Sequence, residues 1–186
     1  MQELKVLSPT AILGYGFPEE SFEKGLEQKP DFIAVDAGST DPGPYYLGAG
    51  VSFTDREAVK RDLKLMLKAG KKLGIPVLVG SAGGSGANEH LAWNEDIVRE
   101  IAQEENLELK VAVIKAEIPK ADILEKYEEG KIKPLLPAGE ISREDIENTS
   151  RIVAQMGIEP IMAALGNDVD LVLAGRAFDP TVFAAP

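Results

Sequence analysis

Four apolar runs, Asp31–Asp36, Pro76–Gly80, Leu109–Ile118 and Val169–Ala174, constrain this sequence more than any other feature. Each carries Val, Ile, Leu, Phe or Ala through its centre, without the strict alternation of a half-buried strand. A strand that is apolar on both sides must be covered on both faces. The stretches between the runs are longer than hairpin turns and show helical spacing. Strand and helix in alternation mean a parallel sheet with crossover helices. Right-handed crossovers then favour a doubly wound, mostly parallel α/β sheet with helices on both faces. Half of a TIM-like barrel shows the same alternation and is the alternative.

The helices are read from their caps and stripes. Pro18–Gln28 places Phe22 and Leu26 on one face, and Lys5–Leu7 before it is a short strand candidate. Thr54-Asp55-Arg56-Glu57 has the form of a capping box. Behind it Val59, Leu63, Met66, Leu67, Gly70 and Leu73 recur at three and four, until Gly74 stops the helix. Glu89–Glu105 and Pro119–Lys131 read as further helices, and 133–139 is a proline-punctuated connector. Ser142 caps an expected helix over Arg143–Gln155, and Glu159–Leu165 and Pro180–Ala185 complete the set. Ala37–Phe53 is a long Gly- and Pro-rich loop, a length more often functional than incidental. Residues 1–186 are read as a single α/β domain. The sequence stops just after a strand, so the expectation is the N-terminal half of a longer protein.

Composition narrows the chemistry. The net charge is -11, which repels phosphate backbones, so nucleic acid is not an expected partner. With no cysteine and one histidine, thiolate metal centres, iron–sulfur clusters, cysteine nucleophiles and multi-histidine sites within the chain are excluded. No apolar run approaches a membrane span, and the start lacks the pattern of a secretion signal, so the expected location is the cytoplasm. Abundant Lys and Glu beside scarce Gln and Asn resemble a thermophile's composition. A cobalamin signature is absent, and Lys115, inside a strand, suits a pyridoxal phosphate site poorly.

In a parallel sheet ligands bind beyond the carboxyl ends of the strands. The unusual residues of this sequence fall at four such ends: Asp36–Gly43, Gly80–Ala87, Glu117 and Gly175–Pro180. The loop with Ser81, Gly83, Gly84, Ser85 and Gly86 is the foremost anion candidate, through backbone amides and the helix behind them. It lacks the Gly-Lys-Ser/Thr of a P-loop, and Glu89 stands where a dinucleotide fingerprint needs its third glycine. Its alternative is close packing of helix on strand. Asp36, Ser39, Thr40 and Asp41 offer carboxylates and hydroxyls for substrate or magnesium, or for local turn bonds. The string Asp36-Ala37-Gly38-Ser39-Thr40 also occurs in actin-like ATPase phosphate loops, but Asp41-Pro42-Gly43-Pro44 cannot continue as a hairpin strand. Arg176 is placed to clamp a carboxylate or phosphate, or to pair with Asp179. Glu117 is a candidate base, or a helix cap. His90, one turn into its helix, is expected to be neutral and hydrogen-bonded. Asp36, Glu117 and His90 are thus the catalytic candidates. Tyr45, Tyr46 and Trp93 are candidates for lining a pocket.

Val35–Pro44, Gly80–Gly86, Ala116-Glu117-Ile118 and Ala174–Pro180 together resemble the acyclic terpene utilisation family, AtuA type, in its N-terminal domain and in a divergent branch. The resemblance runs along the whole sequence. It implies a ligand such as a CoA thioester or small organic acid, with the Gly loop on its pyrophosphate. The strand-end cluster itself suggests a lyase- or hydratase-like reaction, in which the amides of Gly83–Gly86 and Arg176 hold the anion and Glu117 or Asp36 moves a proton. A homo-oligomer, or the remaining half of the protein, is the expected partner. A nucleotide-dependent phosphotransfer domain and a non-enzymatic interaction module remain open as alternatives.

Overall fold

The structure, a computed structural model, describes residues 3–135 and 137–186. Met1 and Gln2, at the start read above for a secretion signal, and Leu136, in the 133–139 connector, lie outside the described residues.

The chain runs β1 (Val6–Leu7), α1 (Glu19–Glu27), β2 (Phe32–Asp36), α2 (Tyr45–Ala49), α3 (Arg56–Leu73), β3 (Val77–Gly80) and α4 (Asn88–Glu104). It continues through β4 (Val111–Ile114), α5 (Lys120–Glu128), α6 (Arg143–Asn148), α7 (Glu159–Leu165), β5 (Leu171–Ala174) and α8 (Thr181–Ala184). The strands form one sheet in the order β1-β2-β3-β5-β4. Every pairing is parallel, with Asp36 opposite Gly80 and Val79 opposite Leu173. The sheet is open, and β5 inserts between β3 and β4. A half-barrel would keep its strands in sequence order, so the alternative architecture is set aside.

Residue parity along the strands divides the interior. Ile33, Val35, Val77, Val79, Leu171 and Leu173 face α1, α3 and α4 in one core. Phe32, Ala34, Leu78, Val172 and Ala174 face α7 and α8 in the other. Both sides of the central strands β2, β3 and β5 are therefore covered, whereas the run expected as a buried strand over Leu109–Ile118 gives the short edge strand β4, which leaves Val111 and Val113 exposed on one side. Full burial of one Leu or Ile side chain contributes about 1.5–3 kcal/mol.

Helix α3 buries Val59, Leu63, Met66, Leu67 and Gly70, while Leu73 at its end is exposed. Gly70 has no room for a side chain, because a Cβ there would lie 2.7 Å from a Val77 methyl. The helix starts one residue later than its sequence pattern suggests. Asp55 is the cap and accepts the Ala58 amide hydrogen at 3.0 Å, while Thr54 turns to the Ser52 hydroxyl at 2.9 Å. A carboxylate is at least as good a cap as a threonine hydroxyl, so the helix begins after Asp55. Asp62, fully buried on the same helix, accepts the amide hydrogens of Gly14 and Gly16 at 2.9 and 3.0 Å. It ties the segment before α1 to α3.

Two expectations are corrected. The Ala37–Phe53 loop contains a short helix, α2, and Gly50 ends it with φ +71°. The helix expected to reach Gln155 stops at Asn148, where Thr149 turns extended. Residues 149–157 instead form a strap along the carboxyl edge of the sheet. Val153 pairs with Glu117 in antiparallel sense and Met156 pairs with Ala177 in parallel. The Ala154 amide donates to Ala116 O at 2.8 Å and the Met156 amide to Arg176 O at 3.0 Å. β-branched Ile152 and Val153 suit this extended path better than a helix.

Candidate functional site

Strands β3 and β5 are neighbours, yet their chains leave the carboxyl edge in opposite directions. β3 leads to α4 on the first face and β5 leads to α8 on the second. Such divergence is the topological switch point at which open α/β sheets form a crevice. A cavity of about 410 Å³ lies here. Ser39, Thr40 and Gly43 of the loop after β2 line it, with Pro44 and Leu47 of the α2 region, Ser85 after β3, Val153 and Gln155 of the strap, and Arg176 after β5. A groove of about 500 Å³ between α1 and α3 is larger. Two of the lysines on its rim are paired outside it, Lys68 with Glu105 and Lys71 with Asp170. Its charged lining, Glu19, Glu23, Lys68, Lys71 and Lys72, belongs to the surfaces of α1 and α3 away from the strand ends, so the smaller cavity is the candidate site.

Arg176 is the central side chain of that cavity. It is only 9% exposed. Its guanidinium reaches Asp179 at 3.7 Å and makes no hydrogen bond to the described residues. Asp179 itself is largely exposed. The stem of Arg176 is enclosed, while its nitrogens stay open to solvent on the cavity side and have Asp179 as their one ion-pair contact among the described residues.

Asp36 adjoins Arg176 and Asp179 at the end of β2. Burial first, then repulsion from Asp179, pushes its carboxyl up to about 6, against the pull of the Gly38 amide and of Arg176. It does not itself line the cavity. Asp41 is exposed, and its amide donates to the Ser39 hydroxyl at 3.0 Å. The Ser39 hydroxyl proton thus stays available. Among the described residues, no three His, Asp or Glu side chains gather where they could hold a metal ion.

The glycine loop is built into the protein. The Gly84 amide donates to Ser81 O at 3.0 Å and the Gly86 amide to Ala82 O at 3.2 Å. A Cβ on Gly83 would lie 2.6 Å from that of His90, and one on Gly84 2.7 Å from the Phe53 ring. One on Gly86 would lie 2.1 Å from Arg176 N. Ser81 carries the left-handed φ of +48°, uncommon for a residue with a side chain. Its hydroxyl accepts from Ala177 N and donates to Ala177 O, both at 3.2 Å. Ser81 therefore clasps the loop after β3 to the loop after β5, and Ser85 is the part of the glycine loop that reaches the cavity.

The other candidates lie elsewhere. Glu117 accepts the Asn88 amide hydrogen at 2.9 Å and caps α4. His90 is buried behind the glycine loop, with Nε2 3.1 Å from Val51 O. Burial holds its imidazole below the ordinary histidine range. Trp93 packs on the first core, and the Tyr46 ring sits edge-on to Phe53.

The strap brings in groups that sequence reasoning missed. Arg151 forms a two-point pair with Glu89, at 2.9 and 2.7 Å, and also donates to Gly48 O. It joins the strap to both α2 and α4. A signal was present: Ile152, Ala154 and Met156 alternate with Arg151, Val153 and Gln155, a period of two within an assumed helix.

The chain is an open, all-parallel α/β domain with helices on both faces of its sheet and a cavity at the carboxyl edge. Residues 55–186 match the acyclic terpene utilisation family protein AtuA, and the chain belongs to that family. The match takes in the glycine loop, Glu117, the strap and Arg176, while the Asp36–Pro44 loop precedes it. No curated protein and no solved structure gives a significant match. No helix among the described residues is long and apolar enough to cross a membrane.

Proposed function

We propose that the cavity binds the carboxylate of a small organic acid, or of the acyl part of a thioester, and that Arg176 holds it. The observation that carries this reading is the Arg176 guanidinium on the cavity wall, its stem enclosed, its nitrogens open to the cavity and only a 3.7 Å contact to Asp179 beside it. A carboxylate would supply two charge-assisted hydrogen bonds to the planar fork. A pyrophosphate fits less well, since the cavity presents one cation and the amides of Gly84 and Gly86 are engaged internally. If the ligand is a CoA thioester, its acyl end enters and the nucleotide stays outside. Membership of a terpene-utilisation family is in keeping with aliphatic acid chemistry.

Asp36 does not line the cavity, so it acts on the site through its charge beside Arg176. The test is calorimetric titration of acetate, succinate, butyrate and acetyl-CoA into the wild type and Arg176→Gln. At least one ligand should bind the wild type and lose about tenfold or more in the variant, the usual scale for a charge-assisted pair. Equal affinities, with both proteins folded by urea titration, reject the arginine clamp.

A further inference from the structure

Resting on the carboxylate reading of the same cavity, we infer that its ligand is a short aliphatic hydroxy acid, selected by Gln155 and the serine and threonine hydroxyls together with the apolar Leu47 and Val153. The strap carries this selection. Val153 and Gln155 are two residues apart on extended backbone, so they share a side, and both line the cavity. The intervening Ala154 is fixed by its bond to Ala116 O at 2.8 Å, and Met156 turns away to pack on the second core. The backbone thereby sets the origins of one polar and one apolar side chain about two residues' rise apart, roughly 7 Å.

The rest of the lining carries the same two chemistries. Ser39, Thr40 and Ser85 offer uncharged hydrogen-bonding groups, whereas Pro44 and Leu47 offer hydrocarbon. Arg176 is the single cation of the lining, which matches one carboxylate. Hydroxyl and amide groups have no match in a plain fatty acid and would keep water. A hydroxyl on the ligand satisfies them, while the apolar pair takes its alkyl part. Arg151 holds the two apolar groups in register, because it joins the strap to Gly48, next to Leu47. With about 410 Å³ of space the cavity suits a compact acid.

The test uses two pairs that differ by one hydroxyl, lactate against propionate and 3-hydroxybutyrate against butyrate, titrated into the full chain. At least one hydroxy acid should bind about tenfold tighter than its partner, since sites that hydrogen-bond a hydroxyl discriminate against the analogue lacking it. Gln155→Leu should bring that ratio near one and leave the affinity for the plain acid within about twofold, a change that lost folding would not produce. Val153→Ala should move the preference toward hexanoate and its hydroxy acid. Ratios near one in the wild type overturn this inference and leave the arginine clamp standing. Binding of none of the four acids overturns this inference, and the succinate and acetyl-CoA titrations then decide the arginine clamp separately.

Discussion

The Glu117 carboxylate accepts the amide hydrogen of Asn88, 2.9 Å away, in the first turn of α4. The helix needs this, because its own cap residue, Ala87, has no side chain to offer. A negative charge there also opposes the helix dipole favourably. The strand-end glutamate is therefore a cap delivered from across the sheet. Glu117→Ala should lower stability by about 1 kcal/mol, the usual cost of losing a cap, as read by urea denaturation. Carboxylate affinity should stay within about twofold. A large loss of affinity at unchanged stability would instead place Glu117 in the site.

Asp36 predicts a pH dependence of stability. Its folded value, about 6, exceeds the unfolded value of 3.8, so the folded state holds the proton more tightly. The stabilisation is complete below the unfolded value and is lost as pH rises from about 4 through 6. The full shift would correspond to about 3 kcal/mol, and partial exposure with solvent screening reduces it to on the order of 1–2 kcal/mol. Asp36→Asn should therefore be more stable than the wild type at pH 8. It should also lack the wild type's fall in stability between about pH 4 and 6. Urea titrations at those pH values give the comparison, and parallel slopes would refute the assignment.

Glu89 predicts the opposite sign in a lower window. Arg151 pairs with it and holds its carboxyl at about 2, below the unfolded 4.5. The stabilisation is present above the unfolded value and fades as pH falls toward 2. Arg151→Met should flatten this acid limb. The change also frees the Gly48 carbonyl, so amide exchange across 45–50 should rise with that across the strap. Unchanged exchange in both segments would mean that Arg151 does not hold them together.

The sheet was legible in the sequence because its evidence is local. Unbroken apolar runs such as Phe32–Val35 and Leu171–Ala174 can only be strands covered on both faces. The strand ends also pointed to Asp36, Ser39, Thr40, Ser85 and Arg176, which the fold brings to one edge. The strap was not legible. Ser142 and Asp145 form a true capping box, and that start hid the early stop at Asn148. What draws residues 149–157 into extended form is pairing with Glu117 and Ala177, contacts distant in sequence. Glu117 as a cap and Ser81 as a clasp share that cause. Each bonds a residue whose proximity exists only once the crossovers are made.

Gly86 separates the two meanings of the glycine loop. With φ +71°, its Cα stands where a Cβ would meet Arg176 N at 2.1 Å and Gly175 C at 2.6 Å. That space is what lets the loops after β3 and β5 close against each other and set the Arg176 backbone in place. Gly86→Ala should cost about 2–4 kcal/mol, combining left-handed strain with overpacking against backbone that cannot swing aside. The main-chain shift should also carry Arg176 off the cavity wall, so carboxylate affinity should fall by about tenfold or more even where the protein remains folded. Gly139→Ala is the control, since among the described residues no atom beyond its chain neighbours lies within 4 Å of its added Cβ. It should change stability by less than about 0.5 kcal/mol and leave binding alone. Thermal unfolding and calorimetric titration of the two variants decide the matter, and a Gly86→Ala protein as stable as the control would remove the packing role assigned to this glycine.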